Sequence, residues 1–223
     1  MSSSTPFPKR PKWPLVTAGV VVLVVAALLG GWWLGRDQGG DPPENTTTPP
    51  SPTDTTAADG QVDGCLGGPD RTPEMVLAAQ EQADVASDEE GVAFAASLMR
   101  WFWQEPWAEP TDAQRTAIVA EHADSSIPEL FESAADSVDA DTSRWVSTSG
   151  ALWYVESSTA DELVVSLALL PVIDGELATD SRIQATLTLT RSDGVWRWSA
   201  FEAQMRDYED MESIGTAFTS GCG

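Results

Sequence analysis

The chain has 223 residues, with 12 Lys and Arg against 35 Asp and Glu and a single His, so its formal net charge is −23 and its pI is near 4.1. Proteins that grip nucleic acid neutralise phosphates with a basic face, and an acidic excess of this size excludes direct DNA or RNA binding. With 42% hydrophobic residues and 10 Trp the chain can still bury a substantial core, which excludes a wholly disordered protein.

At the N-terminus, Lys9, Arg10 and Lys12 precede 23 uncharged residues, Trp13 to Gly35. At about 1.5 Å per helical residue this stretch covers a hydrocarbon layer of roughly 30 Å, so residues 13–35 are predicted to form one transmembrane helix. Trp13 at one end and Trp32 and Trp33 at the other suit the headgroup region. The stretch exceeds the roughly 7–15 residues of a signal-peptide core, and two tryptophans follow Gly30-Gly31 where cleavage would need small residues. Basic residues before the span place residues 1–12 in the cytoplasm as a short arm and everything after the span outside. The expected location is therefore the cell membrane, single-pass, with an extracytoplasmic C-terminal domain. Residues 36–63 hold Pro42, Pro43, Pro49, Pro50, Pro52 and two threonine runs, a composition that cannot offset its own ordering entropy and reads as a disordered tether. Asn45-Thr46-Thr47 matches the N-glycosylation pattern, a three-residue signal.

The exported domain is expected to span 64–223. Its two cysteines, Cys65 and Cys222, lie on the oxidising side and are expected to pair as a terminal staple. Four helices come first. Thr72-Pro73 caps the first. Ser87-Asp88-Glu89-Glu90 forms a capping box ahead of Phe94, Leu98, Trp101 and Phe102, whose spacing predicts an amphipathic second helix. Thr111-Asp112-Ala113-Gln114 and Ser126-Ile127-Pro128-Glu129 are further boxes of that form. From Arg144 the period changes to two, as in Ile183, Ala185, Leu187 and Leu189, and strands are predicted at about 144–156, 162–173, 181–191 and 195–204. Asp174-Gly175 and Asp193-Gly194 mark hairpin turns. The fold class is α+β, with helices packed on one face of a curved, four-stranded antiparallel sheet.

Chemistry is sparse. His122, placed near the end of the third helix, has neither a second His nor a Cys cluster for a zinc site, and no Gly-x-Ser-x-Gly elbow supplies a nucleophile. Phosphate-cradling glycine loops are missing, and the acidic groups Asp88-Glu89-Glu90 and Asp207, Glu209, Asp210 and Glu212 match no EF-hand loop and read as solvated faces and helix-start charges. No catalytic, cofactor-binding or metal-binding residue is assigned, and the chain is expected to be non-enzymatic and free of cofactors. Trp101, Trp103 and nearby Trp107 are the candidate interface, against a core-packing alternative with Trp145, Trp153, Trp196 and Trp198.

Capped helices followed by long strands, ending in Asp193-Gly194-Val195-Trp196-Arg197-Trp198, resemble the cone-shaped nuclear transport factor 2-like domains over residues 72–215. With the arm, span and tether, the layout resembles the bitopic assembly component of type IV secretion and conjugation channels. The tether leading into Gly64-Cys65-Leu66-Gly67-Gly68 is similar to uncharacterised single-span proteins of actinobacterial mobile elements, and membrane proteins associated with mammalian-cell-entry systems share the layout. The resemblance implies a scaffold or accessory component whose partners are other membrane or envelope proteins, or further copies of itself. Enzymes of this fold use a carboxylate or His with Tyr inside the cone, for which this chain offers only His122, Tyr154 and Tyr208. The alternative is a tethered exported domain that binds a small apolar ligand or an envelope component.

Overall fold

A computed structural model describes residues 60–135, 142–203 and 205–222, all within the unit spanning Pro52–Gly223. The expected arm, transmembrane helix, glycosylation motif and most of the tether lie outside the described residues. Among the described residues no helix is long and apolar enough to cross a membrane. The fold is α+β, with five helices and an open antiparallel sheet of six strands among these residues.

Helix α1 (Pro73–Gln82) starts where Pro73 presets the first-turn φ and the Thr72 hydroxyl accepts from the Met75 N–H at 3.3 Å. Helix α2 (Asp88–Phe102) starts at Ser87, whose hydroxyl accepts from the Glu90 N–H at 3.2 Å. The reciprocal half of that expected box is absent, because the Glu90 carboxylate instead accepts from the N–H of Asp84. Nor is α2 amphipathic in its setting, since every residue from Gly91 to Phe102 is buried. The chain before α1 covers its second side: Ser97 donates to the Leu66 carbonyl at 2.8 Å, and Arg100 donates to the carbonyls of Gly68 and Asp70 at 2.6 and 2.9 Å. Gly91 allows α2 to sit close on the sheet, as a Cβ there would lie 2.6 Å from Leu163 and 3.0 Å from the Trp196 ring.

Helix α3 (Asp112–Ile118) carries the complete Thr111/Gln114 capping box. Helix α4 (Ser126–Ala135) departs from expectation. Ser126 is its first helical residue rather than its cap, with its N–H donating to the Asp124 carboxylate and its hydroxyl accepting from the Phe201 N–H at 3.3 Å, so this hydroxyl docks the helix to the sheet.

The strands are β1 (Arg144–Ser158), β2 (Glu162–Ile173), β3 (Glu176–Leu177), β4 (Ile183–Ser192), β5 (Val195–Glu202) and, after helix α5 (Tyr208–Ile214), β6 (Thr216–Ala217). Their order is β5-β4-β2-β1-β6, with β3 paired to β2. The four long strands follow the sequence periodicity, whereas the two-residue strands β3 and β6 are additions to the expected four, too short to leave a periodic signal. Asp174-Gly175 and Asp193-Gly194 have φ values of 50° and 86°, and 54° and 78°, the positive pairs that a type I′ hairpin turn requires.

The core lies between α1–α4 and one sheet face. Leu163, Val165, Leu169, Leu187, Leu189, Trp196 and Trp198 are all fully buried there. An aromatic cluster of Trp101, Phe102, Trp107, Phe131 and Trp198 closes one end, with ring centroids 5.4 to 6.2 Å apart. Beyond β5 the chain reaches β1, where β6 pairs with Leu152 and Trp153. Thr219 then donates to the Val62 carbonyl at 2.9 Å and Gly64 to the Ser220 carbonyl at 3.1 Å. The fold thus includes Val62, which is 1% exposed, and begins before the expected boundary at Gly64. Cys65 and Cys222 form a disulfide across a sequence separation of 157, a closure that the chain-entropy account values at roughly 5 kcal/mol.

Candidate functional site

The three candidate interface tryptophans separate. Trp101 is fully buried and its indole N–H donates to the Ala108 carbonyl at 2.9 Å, while Trp107 stacks on it at a centroid distance of 6.0 Å. Both are core residues, because Trp101 on α2 and Trp107 in the loop after it each pack against Phe131, so a surface role among the three falls to Trp103, at 39% exposure. Trp103 is the C-cap of α2, where its N–H donates to the Met99 carbonyl at 2.8 Å and the turn directs its side chain away from the core.

Beside Trp103 a cavity of about 280 Å³ opens between the end of α2, α4 and the start of β1. Phe102, Trp103 and Leu130 give it an apolar wall, and Glu105 and Arg144 a charged rim. That rim is fixed twice. The backbones of Glu105 and Arg144 exchange hydrogen bonds at 2.7 and 3.0 Å, and the side chains form an ion pair at 2.9 Å. Ile173, the register partner of Arg144, is 43% exposed at the same end of the sheet. The sequence singled out Trp103 but not Leu130, Glu105 or Arg144, whose meeting depends on a pairing across about 40 residues that no local pattern announces.

The groups considered for chemistry are dispersed. His122 is exposed in a turn beyond α3, which ends at Ile118 and not near residue 122. Tyr208 lies beneath the Arg182 guanidinium at 4.7 Å, and Tyr154 beneath that of Arg206 at 4.9 Å. Arg206 also donates to both Glu156 carboxylate oxygens at 2.5 and 2.6 Å, a bond that raises its pKa above the ordinary arginine value. Ser166 adds a third donor to Glu156 at 2.7 Å and meets Thr186 at 2.9 Å, so this carboxylate is occupied in holding the chain after β5. Arg100 is 1% exposed, and burial first, then the neighbouring Arg71 charge, lowers its pKa to about 10. It remains a cation at neutral pH. Among the described residues no group of three or more His, Cys, Asp and Glu is placed to hold a metal ion. The acidic run at Asp207–Asp210 instead starts α5, with the Asp207 carboxylate accepting from the Asp210 N–H at 2.9 Å.

The chain matches no protein-family model, and neither a curated protein nor a solved structure matches it.

Proposed function

We propose that this chain is a non-enzymatic, membrane-anchored scaffold or accessory component of an envelope complex of the conjugation or secretion type, with its α+β domain held outside the membrane by residues 13–35 and the tether. The observation that carries this reading is the contrast between a filled interior and one exposed aromatic among the described residues. The space between helices and sheet, where a small apolar ligand would sit, is occupied by Trp101, Trp196, Trp198, Leu163, Leu167, Leu169, Leu187 and Leu189, all at most 1% exposed. Trp103, by contrast, stands at the surface beside an ion-paired rim. Exposed Trp with an Arg close by is the composition of protein contact sites, and the partners in this reading are other membrane or envelope proteins.

The test is crosslinking in native membranes followed by affinity capture of the tagged full-length protein. Recovery of a secretion ATPase or channel subunits is the expected result. Recovery of the protein alone, in a preparation where known complexes are captured, would refute the scaffold role and leave the ligand-binding alternative.

A further inference from the structure

A second cleft, of about 420 Å³, lies between α3, the turn that follows it and the β4–β5 hairpin. It is lined by two guanidiniums, Arg115 and Arg197, and two carboxylates, Glu121 and Asp193, with Ser192 and Val119 between them. Three other arginines of the domain, Arg144, Arg191 and Arg206, have a carboxylate at 2.9, 2.6 and 2.5 Å. The two in this cleft have none that close, a property they share with Arg71, Arg100 and Arg182, which make no ion pair among the described residues. Arg115 makes no ion pair among the described residues, and its Nε is buried without a hydrogen-bond partner. Arg197 reaches only Asp193, at 3.9 Å, and that carboxylate is 85% exposed.

Both guanidiniums are nevertheless held in place by uncharged groups. Arg197 Nη1 donates to the Thr116 and Ala117 carbonyls at 2.8 and 2.9 Å, which seals the end of α3 onto β5. Arg115 stacks on the Phe131 ring at 4.7 Å. Their ordering entropy is therefore spent on folding, and the donors left over are preorganised for an oxyanion. Glu121 makes no ion pair among the described residues either, and with Asp193 it would repel a ligand that carried only negative charge. A ligand that satisfies all four groups carries both signs.

We infer that this cleft is a binding site for a small zwitterion, a free carboxylate with an ammonium group, as in an amino acid or short unblocked peptide. The carboxylate pairs with Arg115 and Arg197, and the ammonium with Glu121 and Asp193. The site is separate from Trp103 and does not depend on the scaffold role.

The test is saturation-transfer NMR on the full chain in detergent micelles with three peptides: Ala-Ala, its N-acetyl form and its C-terminal amide. Ala-Ala is expected to saturate, with each blocked form about tenfold weaker or worse, because each lacks one charge-assisted contact. Arg197→Gln is expected to reduce Ala-Ala to the level of the amide. That variant also loses a bond to α3, so Asp193→Asn is the companion: Asn tolerates the positive φ of this hairpin position, and the variant should reduce Ala-Ala to the level of the N-acetyl peptide. Absence of a saturable Ala-Ala response, an equal response from all three peptides, or wild-type binding by a variant with native near-UV circular dichroism would overturn the inference.

Discussion

On its helix side the sheet presents Leu163, Leu169, Leu187, Leu189, Trp196 and Trp198, whereas its other side carries Glu156, Ser166 and Thr186 in one hydrogen-bonded chain that ends on Arg206. The two sides hold different parts of the molecule by different means. Burial of apolar area is strong but non-directional, and it holds four helices against the strands without specifying each contact. The Glu156–Arg206 pair fixes one point, because a bidentate guanidinium accepts a single geometry, and it locates the chain after β5 on a side where Ala168 and Met211 are also buried. Stability thus comes chiefly from the first side, and the path of the C-terminal segment from the second.

Four substitutions would break or sharpen this contrast. Trp198→Ala removes the ring shared by β5 and the aromatic cluster and should cost about 3–5 kcal/mol in urea denaturation of the whole domain. Glu156→Ala leaves Arg206 and Ser166 without their shared acceptor and should cost about 2–3 kcal/mol. Its distinguishing signature is local: faster amide exchange over 205–217 than over α2. An equal rise in both would mean that the polar side supports the whole fold. Trp103→Ala should change stability by no more than about 0.5 kcal/mol, since the side chain is outside the core, while weakening any crosslink to a partner formed at that end.

The smallest effect belongs to a residue on neither side. The Glu74 carboxyl is held below its ordinary value of 4.5, first by a backbone hydrogen bond in the first turn of α1 and then by the Gln114 amide, 2.7 Å away. Its contribution is present above that ordinary value and fades as pH falls through the lower folded one. Glu74→Gln should therefore lower the neutral plateau of a melting-temperature profile slightly while leaving its acid end unchanged, which flattens the acid limb.

Features fixed by short-range chemistry were legible in the sequence. Thr72, Ser87 and Thr111 start their helices as the caps predict, and both Asp-Gly turns form where they were placed. Strand periodicity gave the four long strands with ends within about two residues, the usual margin for such boundaries. What was illegible depends on partners distant in the chain. The Ser126 hydroxyl is claimed by Phe201, 75 residues away, and does not cap its helix; the Glu90 carboxylate is lost to its box for a nearer reason, the Asp84 N–H six residues upstream. The core-or-surface choice for Trp101, Trp103 and Trp107 is set by where α2 ends, and adjacent aromatics offer no local sign of that. Glu156 and Arg206 are 50 residues apart and ordinary surface charges by composition.

The junction of the two chain ends has a mechanical consequence. Val62 and Gly64 bond to Thr219 and Ser220, and Cys65 is covalently joined to Cys222, so a force applied at Gly60 meets a covalent cross-link before it reaches α1. The cross-link passes the load to the strand that follows α5 and from there to β1, the next-to-last strand of the sheet. Such a pull can peel residues 62–64 from Thr219 and Ser220, but only after reduction of that bond would it begin to strip the segment 66–71 from α2.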